Sequence, residues 1–124
     1  MLRHSFSREL RLLTPMHFKH VFSNNPQRVG SPQLTFLAIP NQQGHPRLGL
    51  AISKKSEKLA VGRNRIKRHV RESFRLHQHR LPNVDIVVIS KAGVSKLDDQ
   101  QLNQLLEKSW KRLRRRFEQS PSAR

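Results

Sequence analysis

The sequence predicts an α+β fold in one domain. Its 124 residues suit a single modest core. Short apolar blocks, bounded by prolines and turn-formers, read as strands. Two longer stretches repeat their apolar residues at three- and four-residue steps, as amphipathic helices do. The composition is lean at 35% hydrophobic, yet its apolar residues fall in these periodic blocks. An ordered core over about residues 8–117 with flexible tails is therefore expected.

Thr14-Pro15 reads as an N-cap followed by proline at the first helical position. The short helix it opens places Phe18, Val21 and Phe22 on one face, and Ser23-Asn24-Asn25-Pro26 stops it. A weaker strand is expected over Gln27–Ser31, then a strand over Leu34–Ile39 between Pro32 and Pro40. Arg47–Ser53 alternates Leu48, Leu50 and Ile52 with Gly49, Ala51 and Ser53. The polar loop Asn41–Pro46 between these last two predicts an antiparallel hairpin.

A central helix is expected from about Ser56 to His77, with Leu59, Ile66, Val70 and Phe74 as its apolar stripe. Gly62 within it costs roughly 1 kcal/mol relative to alanine. Asp85–Ser90 is short, β-branched and bounded by turn residues, as a well-buried strand should be. The last helix carries Leu102, Leu106, Trp110, Leu113 and Phe117. Asp98-Asp99 at its start and a run of arginines at its end both favour the helix dipole. Glu118–Arg124 reads as a frayed tail.

Charge points to the partner. The chain holds 25 Lys+Arg against 8 Asp+Glu, a formal net charge of +17. Such self-repulsion opposes compaction, and a polyanion relieves it. Nucleic acid is the leading candidate because its phosphates are neutralised with counterion release. No apolar run approaches the roughly 18 residues that span a bilayer, and the N-terminus breaks its apolar residues with charges, unlike a secretory signal. No membrane partner is expected. The absence of cysteine excludes disulfides and thiolate metal sites and fits a reducing cytoplasm.

The charge concentrates on the central helix. Arg63, Arg65, Lys67, Arg68 and Arg71 put five cations into nine residues, with Asn64 between the first two. At about 100° per residue, Asn64, Arg68, Arg71 and Arg75 project within an arc of roughly 60°, opposite Ile66 and Val70. A merely solvated face usually mixes signs, since like charges at i,i+3 and i,i+4 repel. From Lys54 to Arg75, however, only Glu57 and Glu72 answer nine Lys or Arg. The pattern reads as a phosphate-binding face, on which arginine forks bind phosphate bidentately. Charge alone does not separate RNA from DNA, although no helix-turn-helix, zinc-finger or zipper pattern accompanies it.

The stretches "RLLTPMHF", "HPRLGLAISKK", "RNRIKRHVRESFR" and "DIVVISKAG", in this order and spacing, resemble the protein subunit of bacterial ribonuclease P. The resemblance covers about Arg8 to Phe117. It implies an α-β-β-β-α-β-α sandwich related to a ribosomal-protein domain, with a left-handed βαβ crossover. It also implies that a large catalytic RNA, using magnesium ions, removes the 5′ leader from precursor tRNA while the protein assists. No magnesium is expected to bind tightly to the protein alone. Carried over by motif, Arg63, Asn64, Arg65, Lys67, Arg68 and Arg71 would face the catalytic RNA. Phe18, Phe22, Ser53, Lys54, Lys55 and Lys91 would line a cleft for the leader. Ala92 departs from the lysine often found there, and "SEKLAVG" lacks the short Gly-containing form of some members. Without the resemblance, Phe18 and Phe22 read as core packing and Ser53 as a strand-end residue.

The rival class is a self-contained nuclease. His77 and His79 form a His-x-His pair without cysteine or a nearby carboxylate, which makes a poor metal site. A two-metal phosphodiester site needs convergent carboxylates, and the scattered acids offer no such set. No protein catalytic residue is therefore expected. A structural RNA-binding protein, such as a ribosomal one, would share the same charge and fold.

Overall fold

The strand Val84–Ser90 is the most apolar in the chain, and it takes an interior place in a four-stranded sheet. The computed structural model describes residues 10–12 and 14–118. Its elements run α1 (Pro15–Ser23), β1 (Gln27–Gly30), β2 (Leu34–Pro40), β3 (Arg47–Ala51), α2 (Ala60–His77), β4 (Val84–Ser90) and α3 (Asp99–Glu118). This is the expected α-β-β-β-α-β-α order. Glu118, expected in the tail, is the last helical residue, and the rest of both tails lies outside the described residues.

The sheet order is β1-β2-β4-β3. The expected hairpin between β2 and β3 does not form. Instead β4 lies between them, antiparallel to β2 from Leu34↔Ser90 to Pro40↔Val84, and parallel to β3 from Arg47↔Asp85 to Ala51↔Ile89. The reason lies in burial: every β4 residue except Ile89 is buried, so this strand needs neighbours on both edges and cover on both faces. β3, with its small Gly49 and Ala51, goes to the edge. There the segment before α1 covers it, with the Leu12 amide donating to the Leu48 carbonyl at 2.9 Å. The hairpin that does form joins β1 to β2, where the Ser31 hydroxyl donates to the Leu34 carbonyl and accepts from its amide, at 2.8 and 3.0 Å.

Strand alternation divides the core. Leu34, Phe36, Ala38, Leu48, Ile86 and Val88 point to one face, where Ile66, Val70 and Phe74 of α2 and Leu102, Leu106, Trp110 and Leu113 of α3 cover them. Trp110 stands edge-on to Phe36 with ring centroids 5.1 Å apart and donates its indole N–H to the Ser73 hydroxyl at 2.7 Å. On the other face Val21 of α1 packs on Leu12, Ile39 and Val87, with Phe18, Leu37, Ala51 and Ile89 only partly covered.

The helix ends show why they stop where they do. Thr14 caps α1 by accepting from the His17 amide at 3.3 Å, and Pro15 is its first residue. Asp98 and Gln101 cap α3 reciprocally: the Gln101 amide donates to Asp98 Oδ1 at 2.7 Å and the Asp98 amide to Gln101 Oε1 at 3.0 Å. α2 starts at Ala60, four residues later than expected, because Ser53 and Ser56 fold the preceding segment into a turn. The Ser56 amide donates to the Ser53 hydroxyl at 3.2 Å, and the Ser56 hydroxyl to the Ser53 carbonyl at 2.9 Å. Leu59 therefore leaves the apolar stripe and is 64% exposed as the N-cap residue. Gly62 accommodates the Glu57 side chain, since a Cβ there would lie 2.2 Å from Glu57 Oε1. Among the described residues no helix is long and apolar enough to cross a membrane.

Candidate nucleic-acid interface

α2 presents its cations in two ways. Asn64, Arg68 and Arg71 are exposed and Lys67 is half-buried. Their side chains engage no partner among the described residues. Arg63 and Arg65 are already committed. Arg63 turns back to donate to the carbonyls of Glu57 at 3.0 Å and Lys58 at 2.9 Å, bracing the turn that enters α2. Arg65 reaches across to α3, donating to Asp99 Oδ1 at 2.5 Å and to the Leu97 carbonyl at 2.7 Å. Arg75 pairs with Glu72 on the same helix. The open positive arc thus narrows to Asn64, Lys67, Arg68 and Arg71, held rigidly from below by Ile66 and Val70.

The Arg65 contact has a pH signature. The Asp99 carboxyl is held below the usual aspartate range, first by the hydrogen bond from Arg65 and also by the neighbouring His69 and Arg65 charges. A carboxyl whose folded value is lowered contributes stability that is full above its unfolded value and lost as pH falls through the folded one. The stability difference between the protein and Asp99→Asn is therefore expected to be present above about pH 4. It should close below that pH when thermal melts are followed across the acid range. A gap that persists unchanged into acid would contradict this role for Asp99.

Lys67 and Arg71 also reach the edge of the sheet. With Arg11, Leu12, Phe18 and Gly49 they line a groove of about 260 Å³ between α1, β3 and α2. Gly49 lets Phe18 lie flat against β3, since a Cβ there would stand 2.7 Å from the ring. Phe18 is consequently half packed into the smaller core, whereas Phe22, one turn on, is 48% exposed.

The remaining predicted residues gather at the C-terminal ends of β3 and β4, which lie side by side because the strands are parallel. The Ser53 amide donates to Ser90 Oγ at 3.0 Å, and the buried Ser56 and Ser90 hydroxyls meet at 2.5 Å. This serine cluster fixes the turn on which Lys54 and Lys55 stand exposed. Lys91 follows Ser90 and donates to the Ser31 carbonyl at 2.5 Å, tying β4 to the β1–β2 turn. Sequence reasoning gave Arg63, Arg65 and Lys91 a ligand-facing role and missed these protein contacts. The acceptors are backbone carbonyls or an acid 34 residues away, which no local spacing reveals.

Three of the carboxylates are each paired with an arginine rather than with one another: Asp85 with Arg47, Asp99 with Arg65, Glu72 with Arg75. Among the described residues no three His, Cys, Asp or Glu come together to hold a metal. What the surface offers is fixed positive charge beside a partly open sheet face.

The family model described as Ribonuclease P matches residues 6–114. The chain is 57% identical over 112 residues to the ribonuclease P protein component of Pasteurella multocida, covering 90% of this chain and 93% of that one. It is 58% identical over 112 residues to that of Pectobacterium atrosepticum, with the same coverage of 90% and 93%. Among solved structures, the Staphylococcus aureus RNase P protein superposes with a TM-score of 0.77 at 30% identity, covering 82% of this chain and 93% of that one. The Thermotoga maritima RNase P protein gives 0.73 at 29% identity, covering 82% and 96%.

Proposed function

The chain belongs to the ribonuclease P protein family, and from that membership we propose that α2 is its docking face for the catalytic RNA. Membership itself implies a part in tRNA processing as a component of ribonuclease P. The observation that carries the proposal is the one-sided cationic arc of Asn64, Lys67, Arg68 and Arg71, whose side chains have no partner among the described residues. Arg63 and Arg65 serve this face by bracing the turn before α2 and the α2–α3 contact, and they present their remaining donors beside it. RNA phosphates remove the like-charge repulsion that the free helix carries. Binding of the cognate RNA to the purified protein should therefore weaken steeply with salt; salt-independent association would contradict the reading.

The second half of the proposal concerns the 5′ leader of precursor tRNA. The partly covered face beside α1 would take it, with Phe18 and Phe22 as aromatic platforms and Ser53, Lys54, Lys55 and Lys91 at the strand ends. A single strand suits such a surface, because every base has a face to stack and every phosphate a charge to meet. Cleavage then belongs to the RNA, in the cytoplasm. Magnesium would be held by RNA phosphates, since among the described residues the acids form no convergent cluster.

Phe22 separates leader binding from folding better than Phe18, which is partly core. Phe22→Ala should weaken binding of leader-bearing precursor to the reconstituted holoenzyme by about 1–3 kcal/mol, while mature tRNA binds unchanged. Equal losses for both substrates would contradict a leader contact.

A further inference from the structure

The cations at the end of α3 remain unused by this account. Lys108, Lys111, Arg112, Arg114, Arg115 and Arg116 put six positive charges into nine residues with no acid among them. The helix dipole favours cations here, but it does not explain their convergence with cations from other elements. α2 and α3 run side by side in the same direction: Arg65 meets Asp99, His69 meets Asn103, and Ser73 meets Trp110. The end of α2 therefore lies against the cationic half of α3.

Between them opens a groove of about 410 Å³, walled by His77 and Arg80 on one side and Lys108, Lys111 and Arg114 on the other. Glu107 is the one acid on its lining. Buried Trp110, fixed by its bond to Ser73, makes a rigid floor. Arg80, Lys108 and Lys111 have no side-chain partner among the described residues, and Arg114 lies 3.9 Å from Glu118. The groove is separated from the α2 arc by the Glu72–Arg75 pair and by Leu76, which is 51% exposed. At 1.5 Å per residue, His77 stands about 14 Å beyond Arg68 along the helix.

We propose that this groove is a second RNA-binding site, which takes the phosphodiester backbone of the catalytic RNA at a contact separate from the α2 arc. The proposal rests on the docking reading above. The catalytic RNA is favoured over precursor tRNA because α2 and α3 cover the same sheet face, opposite the side given to the leader. Such a site would let the protein clamp two points of one RNA rather than one.

The test compares two variants of the full chain, Arg80→Gln/Lys108→Gln/Lys111→Gln/Arg114→Gln and Arg68→Gln/Arg71→Gln, with their combination. Affinity for the full-length cognate RNA is measured from 50 to 300 mM salt, with precursor tRNA as a separate arm and thermal melting as the folding control. The groove variant should flatten the salt slope by roughly two to three units and weaken RNA binding at least about tenfold. Its effect should add to that of the α2 variant, and precursor tRNA binding should not change. An unaltered slope, a loss confined to precursor tRNA, or no extra loss in the combined variant would each overturn the second site. Failure of the unaltered protein to bind RNA would instead overturn the docking reading beneath it. Because the chain has no cysteine, Lys111→Cys gives a unique thiol for a crosslinker. Attachment to an RNA segment different from that reached from Arg68→Cys supports the site, and attachment to none overturns it.

Discussion

Asp85→Ala should destabilise the protein by about 3–5 kcal/mol, the usual cost of stranding one partner of a buried ion pair. Asp85 is 2% exposed, and Arg47 holds it bidentately, Nε to Oδ1 at 2.8 Å and Nη2 to Oδ2 at 2.7 Å. The Asn41 amide adds a third bond to Oδ1 at 2.8 Å. The pair joins the first residue of β3 to its partner in β4 in the parallel register. It thereby fixes which residues reach the strand ends where Lys54, Lys55 and Lys91 stand. The same bond raises the Arg47 guanidinium above its ordinary range, so no accessible pH discharges it. For a chain of this length the expected fall in melting temperature is on the order of 10–20 °C. Asp85→Asn should lose less, since it can keep an acceptor for Asn41 or Arg47. A melting temperature that alanine leaves unchanged would show that the pair is dispensable.

Lys67→Gln/Arg68→Gln/Arg71→Gln should weaken binding of the catalytic RNA by on the order of 100-fold and flatten its salt slope by about two to three units. These three side chains carry the open charge of α2, and glutamine preserves helix propensity and most of the stem packing. Melting should therefore change little. Arg65→Ala should behave differently: it breaks the contact to Asp99 and Leu97, so it should lower the melting temperature as well as affinity. If the triple variant binds RNA as the unaltered protein does, with the same salt slope, the arc faces water.

The pattern of what could be read in advance has a physical cause. α1 and α3 were legible because their starts and stripes are local: Thr14-Pro15 and Asp98-Asp99 are short-range signals, and Leu102 to Leu113 repeats at the helix period. The cationic arc was legible for the same reason. The β2–β3 hairpin was misread because loop length speaks only to neighbours in sequence, while β4 arrives 44 residues after Pro40 and takes the place between them by burying more apolar surface. The Arg47–Asp85 pair was hidden by that error, since it is aligned only in the parallel register. Arg63 and Arg65 looked identical to Arg68 in sequence. What distinguishes them is which carbonyl or carboxylate lies within reach, a tertiary fact.

The central claim is that this protein supplies a charged docking surface to an RNA that does the cutting. Mixing the purified protein, the cognate RNA and a leader-bearing precursor tRNA at low magnesium tests it most directly. The protein alone should leave the precursor intact, the mixture should cut faster than the RNA alone, and the Lys67/Arg68/Arg71 variant should lose most of that stimulation. Cutting by RNA-free protein, or stimulation undiminished in the variant, would contradict it.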